Sequence, residues 1–176
     1  MIQQDLISFS SPEEFLSHAY ALEQELAERY GEMADSMEVH NNPEVARLFR
    51  ELADSGESRA AKLIRQARGM ELPQVPPWEF QWLRLETPGL EDGMQQLHYL
   101  MTPYQALQLA IRIEQCACTF YQRSSEDATD TDIEGLALEM LAGKQKHLAV
   151  LQAWRSREEE SHVMTPEDLD PPHMPE

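Results

Sequence analysis

The chain has 176 residues and 41% hydrophobic content, enough for one domain with its own core. Its 14 basic and 32 acidic residues give a formal net charge of −18, which disfavours nucleic acid and anionic membranes as partners. It lacks an apolar run of bilayer-spanning length and a secretory signal, so we expect a cytoplasmic protein. Cys116 and Cys118, two positions apart on a predicted helix, face different directions, which disfavours a disulfide.

The first half of the chain predicts an antiparallel pair of helices. Ser11 and Pro12 form a helix start, which predicts a first helix over about 11–37. An Asn-Asn-Pro turn at 41–43 separates it from a second helix over about 42–68, where apolar residues recur every three or four positions. Because the connection is short, the two helices should lie side by side.

A segment rich in proline and aromatic residues, 70–101, then interrupts the helical pattern. It is long enough to cross the length of a helix bundle, and a short helix over 90–100 fits within it. Trp78 and Trp82 are expected either to pack this crossover onto the bundle or to form part of a partner surface.

The second half predicts another antiparallel pair, with helices over about 102–123 and 131–155. Thr131 and Glu134 have the spacing of a capping box at the start of the fourth helix. The four predicted helices thus form two hairpins, and the long crossover connects one hairpin to the other.

The composition changes after the fourth helix. Residues 156–176 are acidic, contain prolines and carry few apolar side chains. Such a segment cannot bury enough apolar surface to fold by itself, so we expect a four-helix domain over 1–155 and an extended tail over 156–176. The tail is the candidate site for binding a protein partner.

An acidic residue interrupts the apolar stripe in each half of the chain. Glu23 lies seven residues before Tyr30 on the first helix, and 91 positions later Glu114 and Tyr121 repeat the arrangement. A buried, unpaired carboxylate is strongly unfavourable, so each glutamate needs a positive partner: a metal, a lysine or an arginine. If the halves pack together, the two carboxylates share one core.

The hairpin spacing, the crossover and the two Glu-x6-Tyr repeats resemble the rubrerythrin branch of the ferritin-like superfamily over roughly residues 11–154. This resemblance implies an all-α, ferritin-like four-helix bundle that is often dimeric, so we expect a homodimer. It also implies one or two iron ions, used for peroxide reduction or ferrous oxidation. In that superfamily two helices each give a glutamate and the other two each give a Glu-x-x-His to a di-iron site.

The chain departs from this ligand pattern on two helices. The fourth helix has Lys144 and His147 where Glu-x-x-His is expected, and the heptad register of the second helix gives Gly56 and Arg59 at the matching positions. A register shifted by one residue would make Glu57 a ligand instead. The candidate metal ligands are therefore Glu23, Glu114 and His147, with Glu57 added in the alternative register.

Arg59 and Lys144 can neutralise the two buried glutamates without a metal, because two positive charges then face two negative ones. A lysine also repels a divalent ion and removes a ligand, so these residues favour a core without a cofactor. Three remaining ligands could still bind a single ion. Tyr30 and Tyr121 are expected to hydrogen-bond the buried carboxylates.

Two functions fit these residues. The first is a metal-poor binding or assembly protein with a degenerate di-iron site, a buried Glu, Arg, Lys and His core, and a tail that recognises a partner. The alternative is an iron-dependent peroxidase or ferroxidase with an atypical ligand set, in which Lys144 donates a proton to peroxide.

Overall fold

The computed structural model describes residues 6–84 and 97–164. Its main elements are four α-helices: α1 is Pro12–Val39, α2 is Pro43–Gln66, α3 is Pro103–Glu126 and α4 is Thr131–Met164. The helices α1 and α2 pack as one hairpin and α3 and α4 as the other, and no strand occurs in the described ranges. The prediction of an all-α bundle of two hairpins is confirmed.

The crossover contains two short 3-10 turns, Pro77–Glu79 and Gln81–Arg84. The short helix expected over 90–100 falls largely outside the described residues. Over the two described ranges, every helix is too short or too polar to span a lipid bilayer.

Side-chain caps determine where the helices begin. Ser11 accepts a hydrogen bond from the backbone N–H of Glu14, and Thr102 and Gln105 form a capping box at the start of α3. At α4 the structure differs from the predicted Thr131 box, because Asp130 Oδ1 accepts a 2.8 Å hydrogen bond from the backbone of the second helical residue. An aspartate is a strong N-cap, since its negative charge also interacts favourably with the helix dipole.

A glycine allows α1 and α2 to approach closely. Gly56 faces Ala27, and a Cβ added to Gly56 would lie 3.0 Å from Ala27 Cβ and 3.2 Å from its Cα. Such distances are tighter than most contacts of real Cβ atoms, so a side chain at Gly56 would require Ala27 to shift by a few tenths of an ångström. This crossing positions the inward face of α2 against the buried face of α1.

The two crossover tryptophans differ in their environment. Trp82 is buried, stacks on Phe80 with ring centroids 4.2 Å apart, and meets Phe120 of α3 edge to face. Trp78 is 81% exposed. Trp82 therefore packs the crossover onto the bundle, whereas Trp78 presents its ring to solvent.

Residues 6–10 pack against the same end of the bundle. Ile7 is buried, and its backbone N–H donates a 3.0 Å hydrogen bond to Asp127 Oδ2. The backbone of Ser8 exchanges two hydrogen bonds with the side-chain amide of Gln81. The beginning of the described chain is thus attached to both the crossover and the end of α3.

The fourth helix extends nine residues beyond its predicted end at 155, to Met164, so the first part of the predicted tail is helical. These residues have too few apolar side chains to fold alone, but adding turns to an existing helix needs no new nucleus. Their glutamates and arginines are good helix formers, and Trp154 Nε1 donates a hydrogen bond to Glu158 across one turn.

Candidate functional site

The site is built around two buried carboxylates. Glu23 on α1 and Glu114 on α3 have exposed fractions of 2% and 0%. Both lie on apolar faces with a repeat of three and four residues, which a helix turns toward the core. Without access to water, each carboxylate depends on protein groups for its hydrogen bonds and for charge compensation.

Lys144 of α4 lies between the two carboxylates. Its ammonium Nζ donates a 3.0 Å hydrogen bond to Glu23 Oε2 and a 2.8 Å hydrogen bond to Glu114 Oε2. The side chain is 1% exposed, so this lysine is among the fully buried residues of the protein. A single ammonium thus bridges both acids at distances typical of charge-assisted hydrogen bonds.

Arg59 of α2 contacts the same pair from another side. Its Nε donates a 2.9 Å hydrogen bond to Glu23 Oε2, and its Nη2 lies 3.8 Å from Glu114 Oε1. Its side chain is 23% exposed, so its guanidinium lies at the edge of the buried cluster. Two cations and two carboxylates meet here, and their formal charges sum to zero.

The two tyrosines connect the halves of the chain in a crossed pattern. The hydroxyl of Tyr30 on α1 donates a 3.0 Å hydrogen bond to Glu114 Oε1 on α3. The hydroxyl of Tyr121 on α3 donates a 3.1 Å hydrogen bond to Glu23 Oε1 on α1. Each glutamate therefore receives its tyrosine from the opposite half, and the two tyrosine–glutamate pairs have the approximate twofold symmetry of the repeated sequence.

Shifted pKa values keep the glutamate ionised and the tyrosines protonated, as these hydrogen bonds require. Burial by itself raises the pKa of Glu114, but Lys144 and Arg59 outweigh it and lower the pKa to about 2. Burial and the adjacent carboxylates raise the pKa of Tyr30 and of Tyr121 well above the usual value. At neutral pH Glu114 is an anion and both tyrosines are neutral hydrogen-bond donors.

His147 lies one turn after Lys144 on the same face of α4 and is half-buried. Burial lowers the pKa of its imidazole, Glu114 opposes this effect, and Arg59 and Lys144 add to it. The ring is therefore neutral at pH 7. Its Nε2 is buried and has no hydrogen-bond partner among the residues that the structure describes.

The register of α2 decides which side chains it presents to the carboxylates. Gly56 is buried against α1, and Arg59 reaches Glu23. Glu57 is exposed and lines a groove on the outer surface between α1 and α2, together with Tyr20 and other residues of those helices. Glu57 therefore lies away from the buried carboxylates, whereas the register shifted by one residue would have placed it beside them.

The two cysteines lie on either side of the buried apolar face of α3. Cys116 and Cys118 are both half-buried and form no disulfide. Burial raises the pKa of Cys118, with Lys144 opposing this effect, so its side chain is a protonated thiol at neutral pH.

Two features of the site were missed from the sequence. One is the crossed pairing, in which each tyrosine donates to the glutamate of the other half. The equal seven-residue spacings are compatible with this pairing, but they do not determine which tyrosine contacts which glutamate. The steric role of Gly56 was also missed. Its signal was a pair of small residues, Ala27 and Gly56, on the facing sides of a predicted hairpin.

Comparison with known proteins identifies the family. The rubrerythrin family model matches residues 14–77. The crystal structure of an uncharacterized conserved protein from Magnetospirillum magnetotacticum is similar, with 34% sequence identity, a TM-score of 0.63, and coverage of 84% of this chain and 95% of that one. No curated protein matches the chain. The chain belongs to the rubrerythrin-like branch of the ferritin-like superfamily.

The residues of this site do not fit the di-iron centre that the superfamily implies. Over the described ranges, no group of three or more His, Cys, Asp and Glu side chains comes together in a geometry that could hold a metal ion. Both glutamates use an oxygen to accept from Lys144, whose ammonium is neither a metal ligand nor a compatible neighbour for a divalent cation. The second helix contributes a guanidinium and a glycine in place of oxygen and nitrogen ligands.

Proposed function

We propose that this rubrerythrin-like protein works without a di-iron centre, as a binding or assembly protein. In this proposal the cluster of Glu23, Glu114, Arg59, Lys144 and His147 is a structural core and not a redox site. Iron, in one or two ions, is not needed for the fold, because protein cations supply the positive charge.

The observation that carries the proposal is the position of the Lys144 ammonium, 3.0 Å from Glu23 and 2.8 Å from Glu114. In a carboxylate-bridged metal site, a divalent ion would interact with the same oxygens. Displacing the ammonium would leave a positive charge buried without partners beside the ion, and such a charge costs several kcal/mol. Lys144 therefore competes directly with a metal.

Packing of the second helix supports the same conclusion. A bridging glutamate at Gly56 would need a Cβ that lies 3.0 Å from Ala27 Cβ. Ala27 would have to move away by a few tenths of an ångström to admit such a ligand, which disfavours a glutamate at this position. The close packing of α1 against α2 thus disfavours a second ion, in addition to the effect of the positive charges.

A binding role remains for the surfaces outside this core. Charge and composition favour a protein partner recognised by the acidic tail, and the family resemblance favours a homodimer. In this proposal the tail after Met164 binds a basic surface while the bundle acts as a rigid support.

Iron loading tests the metal-free part of the proposal. The purified chain and its Lys144→Glu variant are loaded anaerobically with ferrous iron, desalted and exposed to oxygen. We expect no retained iron and no oxo-bridged absorption band in the natural chain. Uptake of two irons per chain with that band would overturn the proposal and favour the iron-dependent peroxidase or ferroxidase, with Glu23, Glu114 and His147 among its ligands.

Truncation tests the binding part. A chain ending at residue 164 keeps all four helices and loses only residues 165–176. We expect it to keep the oligomeric state of the full chain in analytical ultracentrifugation and to bind a basic protein surface, represented by a polyarginine-coated sensor, more weakly than the full chain does. Equal binding by both chains would contradict the role of the tail.

A further inference from the structure

Two polar atoms at the edge of the cluster have no hydrogen-bond partner among the described residues. They are Arg59 Nη2, from α2, and His147 Nε2, from α4, and both are buried. Leaving a buried donor or acceptor unpaired costs about 1–3 kcal/mol, and in proteins such atoms are usually paired with ordered water. Two such atoms beside one charged cluster indicate a ligand site.

Distances at the cluster define the size of the ligand. Arg59 Nη2 is 3.8 Å from Glu114 Oε1, too far for a direct hydrogen bond. A single oxygen can lie about 2.8 Å from both atoms, which is the usual geometry of a bridging water. The imidazole of His147 interacts electrostatically with both Glu114 and Arg59, so its unpaired Nε2 is a third polar atom near this gap, and buried waters typically make about three hydrogen bonds.

The charges define the chemical class of the ligand. Glu23 and Glu114 balance Arg59 and Lys144, so an added ion would leave the buried cluster with a net charge. An anion would also lie beside the Glu114 carboxylate without a proton to donate to it, and a cation would meet two positive side chains. A neutral molecule that both donates and accepts satisfies all three partners.

We infer that Arg59 Nη2, Glu114 Oε1 and His147 Nε2 form a binding site for one neutral, water-sized molecule, occupied by water in the resting protein. The molecule accepts a hydrogen bond from Arg59 Nη2 and donates one to Glu114 Oε1. Its third hydrogen bond is with His147 Nε2. Arg59 and His147 are partly exposed as residues, but the two unpaired atoms are buried, so the molecule lies enclosed just beneath the surface of the bundle. This inference rests on the proposed metal-free core.

A high-resolution crystal structure of the full chain tests the inference. We expect one electron-density peak within hydrogen-bond distance of Arg59 Nη2, Glu114 Oε1 and His147 Nε2. In solution, oxygen-17 relaxation dispersion should detect one long-lived internal water that is lost in His147→Leu. The control, His40→Leu, changes an exposed histidine and should keep that water.

Each contrary result has a distinct meaning. Direct contact between the three atoms, or an unchanged number of long-lived waters in His147→Leu, would overturn the inference. An anomalous bromide peak at the site after soaking would overturn it too, because the ligand would then be an anion. An anomalous peak at the iron edge would instead contradict the proposed function. If His147→Leu fails to fold, the density of the natural chain still decides.

Discussion

The Lys144 ammonium donates a 2.8 Å hydrogen bond to Glu114 Oε2 across the α3–α4 interface, and neither side chain is appreciably exposed. Their charges compensate each other inside the bundle, and Glu23 and Arg59 form a second pair beside them. Removing one member of such a cluster leaves another charge buried without its partner. This dependence makes the cluster testable by single substitutions.

Replacing Lys144 by methionine should strongly destabilise the fold. The variant keeps most of the side-chain volume but leaves two buried carboxylates with only Arg59, so the free energy of unfolding should fall by about 3–5 kcal/mol. Urea denaturation followed by circular dichroism measures the change. The control is Lys146→Met, which removes the same charge at an exposed position two residues away. Equal losses in the two variants would show that the buried pairing contributes nothing.

Lys144→Glu should create a site for a single divalent ion. The change gives α4 a Glu-x-x-His with His147, next to Glu23 and Glu114, while α2 still offers only Arg59 and a glycine. We expect calorimetry with Co²⁺ to give one ion per chain and thermal stability to rise on binding. Lys146→Glu, with the same change in net charge, should bind none at this site. Two ions per chain would refute the packing argument for α2.

Gly56→Ala should destabilise the α1–α2 hairpin. Alanine favours a helix over glycine by up to about 1 kcal/mol, but its methyl would lie 3.0 Å from Ala27 Cβ, and such overpacking typically costs about 1–3 kcal/mol. The control is Gly135→Ala on α4, where nothing lies within 4 Å of an added Cβ, and this variant should gain stability. The double variant Ala27→Gly with Gly56→Ala should recover part of the loss. A higher free energy of unfolding in both Gly56→Ala and Gly135→Ala would contradict the close contact between α1 and α2.

The crossed tyrosines should contribute similarly to stability. Tyr30→Phe and Tyr121→Phe each remove one hydrogen bond to a buried carboxylate, so each should lower the free energy of unfolding by about 1.5–3 kcal/mol. The exposed Tyr99 provides the control, and Tyr99→Phe should change little. A large effect of only one buried tyrosine would mean that the approximate symmetry does not extend to the energetics.

Stability should fall in acid because Glu114 must take up a proton. Its pKa is about 2 in the folded protein and 4.5 ordinarily, so its contribution is complete above pH 4.5 and is lost as the pH falls toward 2. The shift corresponds to roughly 3 kcal/mol. Glu114→Gln should flatten the pH dependence of unfolding in this window, whereas the exposed carboxylate control, Glu57→Gln, should follow the natural chain. Parallel curves for all three proteins would disprove the assignment.

The helical period made much of the fold predictable. Stripes with a repeat of three and four residues predicted four helices and two hairpins, and they also explain why Glu23, Glu114 and Lys144 lie inside the bundle. Helix ends were less predictable. The fourth helix continues to Met164, because charged residues that are too polar to nucleate a helix can still extend one.

Other features depend on contacts between residues distant in sequence, which the helical repeat does not specify. Ile7 is buried because its backbone and that of Ser8 bond to Asp127 and Gln81, both distant in sequence. The hydrogen bond from Tyr30 to Glu114 likewise requires the relative position of the two hairpins. Such pairings arise from tertiary packing, which local spacing constrains but does not determine.

Metal analysis of the natural chain tests the central claim most directly. The protein is produced in iron-supplemented medium, purified without chelator and measured by inductively coupled plasma mass spectrometry. If Arg59 and Lys144 provide the positive charge that Glu23 and Glu114 require, iron and other transition metals will total well below one ion per chain. Two iron ions per chain would contradict this account.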